Sequence, residues 1–193
     1  LSDPRIWLLS LADFGIILTV YGVGLWLPQI VKELGFSNAT TGLIVAAVNV
    51  ATMVAMIAWA RTSDARGERI RHIIWPALVA AAALTVSAVM GAGVGTVFAL
   101  TVATIGVYAA LVVLWTLPQS FFGGTAAAGA IALVNSIANL GGFFGPTIVG
   151  FLKQETGSYG YAMGFLAIGL GVTVAAIVTL SRSMSAAKPA AVV

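Results

Sequence analysis

The chain contains no cysteine and one histidine, His72. Without thiols it has no disulfide framework and no cysteine nucleophile. Without a second imidazole it has no His pair for metal or acid–base chemistry. Charge is equally scarce. Asp, Glu, Lys and Arg make up 8% of the 193 residues, against about a quarter in soluble domains, which excludes an ordinary water-exposed fold. The sequence pI near 9.6 does not signal nucleic-acid binding. The basic residues sit at the ends of apolar segments, where they fix topology instead of forming a binding face.

What fills the chain is apolar: 60% hydrophobic residues and a mean hydropathy of +1.06. Six segments, at about 6–31, 41–60, 73–91, 95–122, 126–152 and 159–181, reach the length of about 20 residues that spans a hydrocarbon core of roughly 30 Å. The expected fold is an all-α membrane protein of six transmembrane helices over 1–181, with 182–193 a disordered tail. The spans divide into two sets of three, about 1–93 and 94–193. An odd number per set inverts the second relative to the first, an arrangement typical of secondary transporters whose site lies near the midplane. The first residue is Leu, as expected of a piece of a longer chain.

Charge placement predicts orientation. Arg5, Arg61, Arg66, Arg69, Arg71, Arg182 and Lys188 fall on one side, and only Lys32 and Lys153 on the other. Short cytoplasmic loops are enriched in Lys and Arg, so both termini and the 61–72 turn are expected in the cytoplasm.

Several local signals predict helix ends. Asp3-Pro4 reads as a cap followed by a first-turn proline, and Ser37 or Thr40 as the cap of the second helix. Trp75-Pro76 is expected in the first turn of the third helix. The fourth is expected to kink at Pro118 and end at Gly123, with Thr125 capping the fifth. The run Gly141-Gly142-Phe143-Phe144-Gly145-Pro146 is expected to interrupt the fifth helix in its outer half.

Enzymatic chemistry has little to work with. No second carboxylate, His pair or Ser–Lys pairing accompanies Asp13, the one ionisable group well inside a span, so neither catalytic residues, a metal site nor a cofactor is expected. Asp13 lies about 10 Å into the first helix. Hydration or pairing with a cytoplasmic Arg is its structural role; proton coupling is the alternative. Around the Gly123–Thr125 turn, Trp115 and Asn135 each lie about 15 Å from the cytoplasmic face. Asn139 is one turn beyond Asn135, Tyr108 two turns beyond Trp115, and Asn49 enters from outside to similar depth, with Tyr21 nearer the outer side. These six residues are the candidate ligand site. The competing role for such Asn residues is interhelical bonding, worth about 0.6–2 kcal/mol each. In the second turn, Asp64, Arg66 and Arg69 form either a charge latch for gating or a topology signal alone.

Four blocks carry a likeness to a known family: Tyr21-Gly22-Val23-Gly24-Leu25-Trp26-Leu27-Pro28; Ser63-Asp64 with Gly67-Glu68-Arg69; Leu114-Trp115-Thr116-Leu117-Pro118; and Asn135-Ser136-Ile137-Ala138-Asn139-Leu140-Gly141-Gly142-Phe143-Phe144-Gly145-Pro146. Together they resemble the carboxyl-terminal half of the anion:cation symporters of the major facilitator superfamily, a group that includes tartrate, sugar-acid and phthalate permeases. The resemblance implies a twelve-helix fold in two six-helix halves, multi-pass in the cell inner membrane. It also implies alternating access and proton-coupled transport of an organic anion. It makes Trp115 and Asn135 substrate contacts and the basic turn a latch, although Ala65 and Glu68 stand where that motif usually carries basic residues. No Lys or Arg lies at midplane depth in this half. The cationic clamp and the proton-carrying acid are therefore expected in the missing amino-terminal half, and this half alone is not expected to transport. The rival expectations are a sugar or drug carrier of the same superfamily, and a six-helix membrane subunit that moves nothing.

Overall fold

The computed structural model describes residues 3–121 and 123–186, the side chains at 125, 126, 185 and 186 aside. Among them the chain is all helical: α1 Pro4–Lys32, α2 Asn38–Arg66, α3 Ile70–Met90, α4 Val94–Leu114, α5 Leu117–Phe121, α6 Gly124–Thr156 and α7 Gly160–Ala186. The pair α4–α5 makes one span, so six helices are long and apolar enough to cross a bilayer. α7 continues through 182–186, which were expected in the tail; residues 187–193, with Lys188, lie outside the described residues.

Caps set the helix starts. The Asp3 carboxylate accepts from the Arg5 backbone N–H at 2.9 Å, and Pro4 fills the first position. The Arg5 guanidinium binds the same carboxylate and holds it below the usual carboxylate range. Ser37 Oγ accepts from Thr40 N–H at 3.1 Å, so Ser37 caps α2. The Thr125 side chain, expected as the cap of the fifth span, lies outside the described residues. Gly123 stands at that N-cap, and Gly124, at φ +57°, makes a turn that favours glycine.

One proline sits differently from the sequence expectation, and another breaks its span beside the expected kink. α3 starts at Ile70, which puts Pro76 inside the helix instead of in its first turn. Pro76 has no N–H for the carbonyl of His72, and that carbonyl accepts from Trp59 Nε1 at 2.8 Å. The fourth span breaks at Trp115–Thr116, just ahead of Pro118, because the proline cannot take the carbonyl of Leu114.

The fifth span is not interrupted. α6 runs unbroken through Gly141–Pro146. Its glycines serve close approach: a Cβ at Gly141 or Gly145 would press into the α1 backbone at Phe14 and Leu18. On another face of α1, Thr173 of α7 donates to the Ala12 carbonyl at 2.9 Å beside Gly15 and Gly169. Without a hydrophobic force between helices in lipid, such small-residue contacts supply much of the packing.

The packing has internal symmetry. α1 packs on α6 and α7 as α4 packs on α2 and α3, while α1 meets α4 and α3 meets α7 across the axis. This is the pattern of two inverted three-helix repeats. α1 and α4 are the most buried spans and α2 and α6 the least. α1 therefore stands between α4 and α6, which are not packing neighbours.

Candidate functional site

The exposed side of this bundle carries the polar residues expected at depth. Asn49, Asn135, Asn139 and Tyr21 are exposed, while Tyr108 and Trp115 are half-buried. Tyr21 lies with its ring against Gly142 of α6, one turn beyond Asn139. Asn49 and Tyr108 line one small cavity of about 40 Å³ with Thr19, Val20 and Gly24 of α1 and Thr104 of α4. Tyr21, Asn49 and Tyr108 thus gather around the middle of α1, and the two Asn of α6 border Tyr21 from the other side.

Trp115, at the end of α4, and Asn135 of α6 sit on helices that each pack on α1 and are not packing neighbours, although the short α5 that follows Trp115 touches α6. Nor does a broken fifth helix stand beside them. Trp115 stands at the break in its own span, where its backbone N–H donates to Leu111 O at 3.3 Å in the last full turn of α4. The Asn side chains bond within their helices. Asn49 Nδ2 donates to Val45 O, and Asn139 Nδ2 donates to both O and Oδ1 of Asn135, at 2.8 Å each. Among the described residues none of these bonds ties two helices together.

This face is polar and uncharged. Among the described residues no Lys or Arg lies at its depth, and no three His, Cys, Asp or Glu side chains group to hold a metal ion. Asp13 is fully buried inside the bundle. Both its carboxyl oxygens lack a hydrogen-bond partner. The Arg pairing expected for it is not made; Arg5 is engaged by Asp3 instead.

The second turn closes on itself. Gly67, at φ +64°, caps α2, and Arg69 Nη1 pairs with Asp64 Oδ1 at 2.6 Å and with Ser63 Oγ at 3.0 Å. Arg66 is exposed. Sequence reasoning missed two features. Thr19 and Thr104 join the small cavity, and a threonine at matching depth on two helices was a usable signal. At the opposite end, Lys153 of α6 bridges Glu33 at the end of α1 at 3.0 Å and lies 4.2 Å above the Tyr159 ring. That pairing needed the knowledge that α1 and α6 are neighbours.

Comparison with known proteins decides the family. The chain is 41% identical over 186 residues to a putative tartrate transporter of Agrobacterium vitis, covering 96% of this chain and 42% of that protein. The chain belongs to the major facilitator superfamily. It is also 34% identical over 169 residues to a quinolone resistance transporter of Acinetobacter baumannii, covering 87% of this chain and 39% of that one. A putative metabolite transport protein of Pseudomonas putida, NicT, is 33% identical over 156 residues, 80% of this chain and 36% of that protein. No protein-family model matches the chain. The chain thus spans about two fifths of the length of these relatives. Within the major facilitator fold it is the carboxyl-terminal six-helix half, and its relatives are named as transporters, not enzymes.

Proposed function

We propose that this chain is the substrate-orienting half of a secondary transporter for a small organic anion, a hydroxylated carboxylate such as tartrate. The transporter works by alternating access coupled to protons in the cell inner membrane, with both termini cytoplasmic. One observation carries the reading: exposed Tyr21, Asn49, Asn135 and Asn139, with half-buried Tyr108 beside them, make a polar, uncharged face on a chain 41% identical to a putative tartrate transporter. Hydroxyls need paired donors and acceptors, which Asn amides, Tyr phenols and the Trp115 indole supply. A carboxylate in a water-poor cavity needs charge-assisted hydrogen bonds or a cation as well. With no cation on this face, the clamp falls to the other six-helix half, which completes the cavity. Asp64, Arg66 and Arg69 bias the conformational equilibrium from the turn, away from the substrate.

A second reading, a carrier for a neutral sugar or a drug, is favoured by one finding: the 34% identity to a quinolone resistance transporter. The test is uptake by the full-length transporter in proteoliposomes under an inward proton gradient. Tartrate should accumulate, and a protonophore should abolish the accumulation. Movement of a quinolone with none of tartrate would favour the second reading, and movement of neither would sink both.

A further inference from the structure

Among the described residues, Asp13 is the one carboxylate whose buried oxygens find no partner. It lies about 14 Å along α1 from its first residue, with no exposed surface, and both carboxyl oxygens are without hydrogen-bond partners. Its neighbours along the helix do not help: Ser10 donates to Ile6 O, Thr19 to Gly15 O, and Thr173 of α7 to Ala12 O. Those hydroxyl protons are committed to backbone carbonyls.

The elements packed against α1 supply no counter-charge. α2 carries Arg61, Asp64 and Arg66, all in its final turns, and α4 carries only Tyr108. α6 carries Lys153 and Glu155 at its far end, and α7 carries Tyr161 at one end and Arg182 at the other. On α1 itself, Arg5 is bound to Asp3, Tyr21 is two turns away, and Lys32 closes the helix. None bonds Asp13. An unpaired carboxylate is not held in such a site; the group keeps a neutralising ligand.

Its position suggests how that ligand is exchanged. Val20 and Gly24 of α1 meet Thr104, Val107 and Tyr108 of α4 at the small cavity. Val20 lies seven residues beyond Asp13, on the same face of α1. α4 runs antiparallel, so Asp13 lies level with the final turn of α4 and the break at Trp115–Thr116. A rearrangement of that break would open the carboxyl to water from the basic end of the bundle.

We propose that Asp13 is a proton-binding site of the transporter, inside this half and apart from the open polar face. The proton occupies it in the packing seen here and leaves when α1 and the broken end of α4 move apart. In that step the carboxyl O–H bond breaks, the proton passes to water at the basic end, and a carboxylate remains until the helices close again. The inference rests on the transport reading for its purpose, but not for the existence of the site.

The test is infrared difference spectroscopy of the full-length transporter in lipid, stepped between acidic and alkaline pH. The unmodified protein, Asp13→Asn and Asp13→Glu are compared. The unmodified protein should exchange a carboxylic-acid C=O band for carboxylate bands. Asp13→Asn should lack that exchange while staying folded, and Asp13→Glu should retain it at a shifted frequency. In proteoliposomes Asp13→Asn should still equilibrate tartrate but lose its pH-dependent accumulation. An Asp13→Asn spectrum identical to that of the unmodified protein would overturn the site. So would an Asp13→Asn protein that cannot fold, because a neutral isostere is what the packing is argued to hold. Infrared exchange without any tartrate movement would leave the proton site standing and sink the substrate reading; tartrate accumulation unchanged by Asp13→Asn would do the reverse.

Discussion

The indole of Trp59 donates to the carbonyl of His72, the carbonyl that Pro76 cannot claim four residues later. Their rings also meet at a tilt, with centroids 5.1 Å and planes 50° apart. A side chain of α2 thereby completes the hydrogen bonding of α3 at a buried residue of its first turn. Trp59→Phe keeps most of the ring and removes the N–H. It should cost about 1 kcal/mol, read as a lowered thermal midpoint of the full-length protein in detergent. An unchanged midpoint would mean that the carbonyl finds another donor.

Gly141 and Gly145 let α1 and α6 meet backbone to backbone. Gly141→Val should force the helices apart at a cost of about 1–3 kcal/mol or more, the range for overpacked interiors. Gly129, around which no atom would meet an added Cβ, is the control. Equal thermal midpoints for substitutions at the two sites would contradict the close-approach role.

These two cases mark the limit of what the sequence reveals. Six spans are legible because the bilayer imposes their length, and the caps at Asp3 and Ser37 are legible because they are local. Proline and glycine read as breakers when a helix is considered alone. Inside the bundle Trp59 satisfies the carbonyl freed by Pro76, and α1 occupies the groove opened by Gly141 and Gly145. Neither partner can be named before the helices are placed. The candidate face follows the same division. Helical period puts Asn135 with Asn139, and Tyr108 with Trp115, but it cannot tell that α1 stands between the two pairs. Asp13 was visible as a buried acid; its lack of any partner was not.

Asp64 binds Arg69 within its own turn, far along the chain from the polar face. Asp64→Ala in the full-length transporter should impair transport much more than substrate binding, because it shifts conformational populations without touching the ligand. A latch shift of about 1–2 kcal/mol changes those populations roughly 5- to 30-fold. Lost affinity with normal accessibility of both faces would contradict this role.

Orientation has its own check. Ser63 is buried and hydrogen-bonded to Glu68 O, so it makes a poor label site; Ala65 is exposed in the same turn. Single cysteines at Ala65 and at exposed Gln154 should label from opposite faces of oriented vesicles, with Ala65→Cys reacting from the cytoplasmic side. Labelling of both from one face would overturn the assigned topology.

The central claim is that the open polar face contacts substrate and does not hold the bundle together. It is tested most directly by measuring tartrate affinity and thermal stability side by side for Asn135→Ala and Trp115→Ala in the full-length transporter. Asn135 is exposed and bonds only within its helix, so its loss should cost less than about 1 kcal/mol of stability. Affinity should fall by about 1–3 kcal/mol as a substrate group loses its partner, and Trp115→Ala should weaken binding through lost contact area and its N–H donor. A large loss of stability with unchanged affinity would contradict the account.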